Sequence, residues 1–247
     1  MDKTIAIFGA GTGLGASVAR RFGREGFRVA LVGRRPGPLD DLARALATEG
    51  IQAAAFPADL TQTAAIPALV AAITNRFGRI DVVEYAPLSP FTFTPAMDLT
   101  AAALKDLVDL YLLTPVEVVR AVLPQMLERG DGGILIGHGL SAVEGMPFMS
   151  GVGPVMAAAR NYLYSLNGEL AGQGVYAGTL AVAAMIERSE SHQALASGEL
   201  GHFDMPGGAP VPTVDPDDLA DQYWDLLSKR DRVEQVYPPL LPGDVLE

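Results

Sequence analysis

The segment from Lys3 to Arg24 constrains the fold more than any other part of the chain. An apolar run typical of a buried strand leads into a glycine-rich turn, and apolar residues at helical spacing follow it. Residues without side chains let backbone N–H groups approach a pyrophosphate, and the N-terminus of the following helix favours its negative charge. The segment therefore predicts a strand, an anion-binding turn and a helix. The residues predicted to contact a dinucleotide here are Gly9, Gly11, Thr12, Gly13, Leu14 and Gly15.

The rest of the chain alternates short apolar runs with helical patterns. We predict strands near residues 4–8, 28–32, 51–56, 80–84, 133–138, 175–182 and 233–236. We predict helices near residues 13–24, 38–49, 61–76, 101–128, 153–171 and 215–228. This alternation predicts a single α/β domain over residues 1–247, with a mainly parallel sheet and helices on both faces. Residues 187–213 are predicted to form a substrate lid or loop, and residues 238–247 an extended C-terminal tail.

The composition limits the partners of the chain. A formal net charge of −11 and a pI near 4.7 argue against nucleic acid or an anionic membrane surface as a partner. The sequence contains no cysteine, which excludes disulfides and thiolate metal sites, and its histidines lack a metal-ligand spacing, so no metal is predicted. No apolar run reaches the roughly 18 residues of a membrane span, and a first strand at residue 4 leaves no room for a signal peptide. These observations predict a cytoplasmic protein.

The second predicted strand ends in a glycine and two arginines, Arg34 and Arg35. In a dinucleotide fold an acidic residue at this point binds the ribose hydroxyls of NAD, whereas an arginine accommodates the 2′-phosphate of NADP. The two arginines therefore favour NADP(H) over NAD(H) as the coenzyme, although a solvated surface pair would give the same sequence. Asp59, which precedes Leu60 just past the third strand, either faces the adenine amine or caps a helix at Thr61.

These residues together resemble the short-chain dehydrogenase/reductase (SDR) family over nearly the whole chain. The resemblance is carried by the Gly9-x-x-x-Gly13-x-Gly15 turn, Arg34, the Asp59-Leu60 pair, RFGRIDVV before the fourth strand, RAVLPQM in the long helix, the GGILIG strand and SLNGELAGQGVY before the sixth strand. It implies a Rossmann-type, doubly wound sheet of seven strands that binds NAD(H) or NADP(H), with Ala86 among the coenzyme contacts. In this family an asparagine, a serine, a tyrosine and a lysine form the catalytic tetrad.

The tetrad positions of that family hold other residues in this chain. Counting from the flanking motifs, the asparagine falls on Tyr111, the serine on Gly139, the tyrosine on Val152 and the lysine on Met156. None of the lysines lies four residues after a tyrosine, so no shift of the alignment restores the tyrosine–lysine pair. A tyrosine becomes a useful acid or base only where a nearby cation lowers its pKa, so proton transfer in this chain needs other groups.

Five polar residues are expected at the carboxyl ends of the strands, where open α/β sheets bind ligands. They are Glu84 and Tyr85 after strand four, Tyr111 on the long helix, and His138 and Ser141 after strand five. Glu84 and His138 follow neighbouring strands and could form an acid–base pair; the alternatives are a hydrogen-bonded strand-end histidine and a carboxylate stabilised by a helix N-terminus. Tyr111 is either a proton donor or an aromatic wall, and Ser141 is a possible nucleophile with His138 as its base.

Three functions fit these residues. The first is an NADP(H)-dependent oxidoreductase that acts on a small carbonyl or alcohol with catalytic residues other than the tetrad. The second is a protein that senses NADP(H) without turnover, and the third is a non-redox enzyme, such as an isomerase, dehydratase or cyclase, that uses Glu84 and His138. In the resembled family the helix at 153–171 and the long helix before it form the subunit interface, which implies a homodimer or homotetramer.

Overall fold

A computed structural model describes residues 2–88, 94–197 and 211–240. Its strands are β1 Thr4–Phe8, β2 Arg28–Gly33, β3 Ala53–Pro57, β4 Val82–Tyr85, β5 Gly132–Gly139, β6 Val175–Val182, β7 Met185–Ile186, β8 Thr213–Val214 and β9 Glu234–Tyr237. Seven of them form one parallel sheet in the order β3-β2-β1-β4-β5-β6-β9, and β7 pairs with β8 separately. The strand order reverses at β1 and β4, and open sheets bind ligands in the crevice that such a reversal creates.

The α-helices in the described ranges are α1 Leu14–Arg24, α2 Pro36–Thr48, α3 Ile66–Phe77, α4 Ala101–Val108, α5 Thr114–Arg129, α6 Val152–Glu169, α7 Glu190–Ala196 and α8 Pro216–Lys229. Helices α1, α2 and α8 cover one face of the sheet, and α3, α5 and α6 cover the other, each with its own cluster of buried apolar residues. The predicted fold class is therefore confirmed. Among the described residues, no helix has both the length and the apolar character needed to cross a bilayer.

The two cores follow from the alternation of side chains along the central strands. In β1, Ile5 and Ile7 pack with α1 and α8, whereas Ala6 and Phe8 pack with the helices of the opposite face. Every residue of β1 is buried, as expected for a parallel strand that is covered by helices on both sides. The sheet thus separates the molecule into two apolar layers, and a side chain on one layer cannot reach the other.

The helix predicted over residues 101–128 is interrupted. Between α4 and α5, residues Asp109–Leu113 form a π-helical turn. Pro115 has no N–H and cannot donate to the carbonyl of Tyr111 four residues earlier, so the regular α-helical hydrogen-bond pattern cannot continue through this point. The interruption therefore coincides with the residue that the family resemblance assigns to the catalytic asparagine.

The segment predicted as an irregular lid contains regular structure. The pair of β7 and β8 frames its two ends, and α7 follows β7. Ser189 is the N-cap of α7, and its hydroxyl oxygen accepts a hydrogen bond from the His192 N–H at 3.1 Å. The remaining part of the predicted lid, residues 198–210 with His202, lies outside the described residues, as do residues 241–247 of the predicted tail.

Candidate functional site

The turn between β1 and α1 lies at the carboxyl edge of the sheet, against the end of β4. Gly9 has a φ of +105°, and a Cβ at this position would lie 2.5 Å from the Cα of Pro87. A Cβ on Gly15 would lie 2.7 Å from the Cα of Ala10, because the start of α1 packs closely on the turn. Only glycine fits at these two positions, and the compact turn that results leaves Gly11 exposed to a ligand.

The N-terminus of α1 is suited to an anion. Its N-cap is Gly13, and among the described residues no side chain caps it and no acidic residue occupies its first turn. Arg21 and Arg24 lie in the last turn, so the protein balances the helix dipole at the C-terminal end but not at the N-terminal end. An anionic ligand would supply both the missing negative charge and hydrogen-bond acceptors for the free N–H groups.

Two arginines lie beside this turn with different partners. The N–H groups of Gly9 and Ala10 donate to the Val32 carbonyl at 3.0 and 2.9 Å, which holds the turn against the end of β2. Just beyond β2, Arg34 is exposed and has no hydrogen bond or ion pair within residues 2–88, 94–197 and 211–240. Arg35 forms an ion pair with Glu190 of α7. In the part of the chain that the structure describes, the Arg34 guanidinium is therefore free, whereas the Arg35 guanidinium is paired with a carboxylate.

Asp59 caps a turn in the described structure, close to where a helix cap at Thr61 was predicted. Its Oδ1 accepts hydrogen bonds from the Thr61 N–H at 3.0 Å and the Thr61 hydroxyl at 2.8 Å, so it caps the turn that leads to α3. Leu60 is buried, and its carbonyl accepts a hydrogen bond from the Thr114 hydroxyl at 2.6 Å. These contacts fix the segment after β3 against the start of α5.

The positions that the resemblance assigns to the tyrosine and the lysine of the tetrad hold apolar residues. Tyr111 is buried in the π-helical turn, where the carbonyl of Leu110 accepts a hydrogen bond from the Tyr85 hydroxyl. Val152 begins α6 and Met156 follows one turn later, and both are buried. Neither side chain can donate a proton or supply a charge that would lower the pKa of a neighbouring group.

His138 and Ser141 lie at the carboxyl end of β5. His138 is 5% exposed, and this burial lowers its pKa to about 4, so the imidazole is neutral at pH 7. Its Nδ1 lies 3.3 Å from the Gly139 carbonyl oxygen, and its Nε2 has no hydrogen-bond partner in the described part of the chain. The hydroxyl of Ser141, which lies under the start of α6 near Gly153, is also buried without a partner there. Such buried polar atoms call for an unseen partner, such as a water molecule or a ligand.

Glu84 and His138 lie on opposite faces of the sheet. The register of β4 and β5 pairs Glu84 with Leu135, whose side chain belongs to the core under α1 and α8. His138 alternates with Ile134 and Ile136, which belong to the core under α3, α5 and α6. The predicted acid–base pair of Glu84 and His138 is therefore wrong, because the sheet separates the two side chains.

Glu84 instead faces α8. It is 1% exposed, and burial raises its pKa to about 8, so the carboxyl is mostly protonated at pH 7. The Tyr223 hydroxyl lies beside it. The two groups do not reach hydrogen-bond geometry, and Glu84 Oε1 and the Tyr223 hydroxyl are both without a partner among the described residues. The carboxyl is a buried neutral group rather than a base in the crevice.

Comparison with known proteins identifies the family. Residues 3–195 match the family model of the short chain dehydrogenases. The chain belongs to this family. This SDR chain is 30% identical over 183 residues to the oxidoreductase asL5 of Sarocladium schorii, in a match that covers 74% of the chain and 72% of that protein. It is 31% identical over 173 residues to the ketoacyl reductase HetN of Nostoc sp., in a match that covers 70% of the chain and 60% of the relative's length.

Solved structures of similar proteins share the whole SDR fold. L-sorbose reductase from Gluconobacter frateurii, complexed with NADPH and L-sorbose, superimposes with a TM-score of 0.83 at 20% identity, over 96% of this chain and 94% of that one. A metagenomic short-chain oxidoreductase in complex with NADP superimposes with a TM-score of 0.76 at 23% identity, over 97% of this chain and 98% of that one. At these identities the likeness shows the fold.

Two contacts at the crevice edge of this SDR fold were not predicted by any sequence pattern. Tyr223 of α8 reaches β5, where a Cβ on Gly137 would collide with its hydroxyl. Residues 188–190 lie against the glycine turn, and the Thr12 hydroxyl donates to the Arg188 carbonyl at 3.0 Å. The apolar stripe of α8 and the serine before α7 can be recognised in the sequence. Neither pattern shows that α8 contacts β5 or that the segment before α7 contacts the glycine turn.

Proposed function

We propose that this short-chain dehydrogenase family member is an NADP(H)-dependent oxidoreductase that acts on a small carbonyl or alcohol compound. The observation that carries the proposal is Arg34, an exposed guanidinium that has no ion pair among the described residues and lies beside the glycine turn. An acidic residue at this point would repel a 2′-phosphate, whereas a free arginine attracts it. Both solved structures described above hold NADP or NADPH, which supports the same coenzyme for this chain.

The residues around the turn fit a dinucleotide. The backbone from Gly9 to Gly15 and the uncapped N-terminus of α1 would hold the pyrophosphate, and Arg34 would hold the 2′-phosphate. Ala86, at the end of β4, would line the same cleft, because its N–H donates to Phe8 directly before the turn. When bound, the coenzyme supplies or accepts the hydride, and the protein has to orient the substrate and move the proton.

The coenzyme proposal is tested by calorimetric titration with NADPH and NADH. We expect tight NADPH binding and weak NADH binding by the unaltered protein. We expect Arg34→Ala to weaken NADPH binding by about 10- to 100-fold, the range for loss of a hydrogen bond to a charged group, with little effect on NADH. Arg120→Ala is the matched control, because Arg120 is exposed on α5 and its ion-pair partner among the described residues is Glu117. Absence of binding by either coenzyme would overturn the proposal.

The substrate oxygen is assigned to His138 and Ser141. Their Nε2 and hydroxyl are buried and without partners in the described ranges, so a carbonyl or alcohol oxygen would satisfy them. The Ser141 hydroxyl can donate to a carbonyl, and with Nδ1–H directed at the Gly139 carbonyl the His138 Nε2 accepts from an alcohol. Tyr111 is the alternative proton donor. Glu84 has no part in this step, because it lies behind the sheet.

Turnover distinguishes this reaction from simple coenzyme binding. With a panel of small carbonyl compounds, we expect the NADPH absorbance to fall with the unaltered protein. Ser141→Ala and His138→Ala should each lower kcat by about 100-fold or more, the usual contribution of a positioned proton-transfer group. Glu84→Gln should keep the activity. If both crevice variants retain full turnover while Tyr111→Phe loses it, the assignment of the substrate oxygen is wrong and Tyr111 is the donor.

A second function, an NADP(H) sensor without turnover, is favoured by the residues at the tetrad positions. Val152 and Met156 are apolar, and the neutral His138 is a poor acid at pH 7. A sensor predicts tight NADPH binding without product from any member of the panel. A non-redox enzyme that pairs Glu84 with His138 is not proposed, since the sheet lies between the two groups.

A further inference from the structure

Three consecutive residues, Arg188 to Glu190, cross the coenzyme cleft and are called the strap. The Arg188 carbonyl accepts a hydrogen bond from the Thr12 hydroxyl at 3.0 Å. A Cβ on Gly13 would lie 3.1 Å from both the Cα and the Cβ of Ser189, so the middle of the strap touches the glycine turn. Glu190 forms the ion pair with Arg35 beyond β2. The strap therefore contacts the glycine turn through Arg188 and Ser189, and Arg35 through Glu190.

The strap is held in this position from its other side. Arg188 adopts a left-handed backbone with a φ of +59°, and its guanidinium forms ion pairs with Asp215 at 2.6 Å and Asp217 at 3.0 Å at the start of α8. The Ser189 hydroxyl donates to the Ile186 carbonyl at 2.6 Å at the end of β7. These contacts hold the strap where the Glu190 carboxylate can pair with Arg35 at the surface.

We propose that Glu190 is a coenzyme-selectivity residue whose carboxylate competes with the 2′-phosphate of NADP(H) for Arg35. The inference rests on the proposed coenzyme function. Of the two guanidinium groups after β2, that of Arg34 is free within the described residues, and that of Arg35 is paired with the Glu190 carboxylate. A dinucleotide with a 2′-phosphate has to displace this carboxylate to use both arginines, whereas one without the phosphate leaves the ion pair in place. Glu190 thereby lowers the preference for NADP(H) over NAD(H).

The size of this effect follows from the exposure of the pair. The side chains of Arg35 and Glu190 are 64% and 60% exposed, and solvent-exposed ion pairs are weak and screened by salt. Removal of the carboxylate is therefore expected to tighten NADPH binding by about 1.5- to 5-fold at low ionic strength, and by less as the salt concentration rises.

The test compares the dissociation constants of NADPH and NADH among four proteins. These are the unaltered protein, Glu190→Gln, Arg35→Ala and the double variant Arg35→Ala/Glu190→Gln. We expect Glu190→Gln to tighten NADPH binding and leave NADH binding unchanged, and the gain to shrink in the Arg35→Ala background. Glu117→Gln, which breaks the exposed pair with Arg120 on α5, is the matched control and should change neither constant. Without coenzyme, amide hydrogen exchange in α7 should be faster in Glu190→Gln, because the ion pair no longer restrains the helix.

The outcomes separate the inference from the function on which it rests. If the unaltered protein binds NADPH but Glu190→Gln leaves the NADPH to NADH ratio unchanged, or tightens both equally, Glu190 does not select the coenzyme and the inference is overturned. Weaker NADPH binding by Glu190→Gln would also overturn it. If neither coenzyme binds to any of these proteins, the proposed function fails and takes the inference with it.

Discussion

Two buried ionisable residues near the crevice edge are neutral for the same physical reason. Burial disfavours the charged form, so it raises the pKa of Glu84 to about 8 and lowers the pKa of His138 to about 4. Each also has a polar atom without a hydrogen-bond partner among the described residues. Only His138 lies on the side of the sheet that holds Ser141 and the start of α6. The neutral imidazole can therefore accept a hydrogen bond on that side, whereas the neutral Glu84 carboxyl lies behind the sheet.

We expect Glu84 to make the protein less stable as the pH rises. Between its unfolded pKa near 4.5 and its folded pKa of about 8, the folded protein holds a proton that the unfolded chain has lost. The stabilisation is fully present below pH 4.5 and is lost as the pH rises through 8, by at most about 1.4 kcal/mol per pH unit. Glu84→Gln should remove this slope, measured as the free energy of unfolding in urea at several pH values between about 5 and 8.

The comparison of Glu84→Gln with the unaltered protein isolates this carboxyl. His138 contributes a slope of the opposite sign between its unfolded pKa of 6.5 and its folded pKa of about 4, but it is present in both proteins and cancels in the difference. Glu128→Gln, on the exposed side of α5, controls for the loss of one formal negative charge. Parallel profiles for Glu84→Gln and the unaltered protein would mean that the carboxyl is ionised or solvated in the folded state.

At the level of elements, local patterns predicted strands better than they predicted helix interruptions. The apolar runs of β1 and β6 predicted the observed bounds, because a covered parallel strand requires apolar residues on both faces. The single helix predicted for 101–128 breaks into α4, a π-helical turn and α5, because Pro115 removes one hydrogen-bond donor while the apolar periodicity continues. Periodicity reports the buried face of a helix and not its hydrogen-bond pattern.

Local patterns also failed to predict the helix in the segment after β7. Its glycines, prolines and polar residues indicated an irregular lid, yet α7 begins after a serine N-cap. The cap is a local signal, but α7 has only seven residues, too short for a periodic pattern to predict. Contacts of the preceding strap with the glycine turn and with α8 hold this helix, and they join residues that are far apart in the sequence.

At the scale of the whole molecule, exposed apolar side chains favour self-association. Leu113 and Leu127, at the two ends of the segment that contains α5, are 44% and 36% exposed, and Tyr164 on α6 is 39% exposed. By resemblance to the family we expect a subunit interface on these helices, because soluble oligomers bury such surfaces in symmetric contacts. We expect a homodimer or homotetramer, with a mass by light scattering of at least twice the 25.9 kDa of one chain.

A charge on this surface should dissociate the oligomer. We expect Leu127→Glu to lower the measured mass toward that of one chain, because an uncompensated carboxylate in an apolar interface costs free energy. Met97→Glu is the control for adding a carboxylate at an exposed apolar position, since Met97 is 91% exposed and lies before α4. A single-chain mass for the unaltered protein would contradict the expected assembly, and an unchanged mass for Leu127→Glu would exclude this surface as the contact.

Local residue types and the periodicity along the chain were enough to predict the fold class, the family and the position of the glycine turn with its two arginines. Which side chains meet depends on the tertiary structure. Strand register assigned Glu84 and His138 to opposite layers, since a shift of one residue reverses the face of every side chain in a strand. Packing between distant segments brought Tyr223 to Glu84 and Glu190 to Arg35, and no local pattern encodes a contact between residues so far apart in the chain.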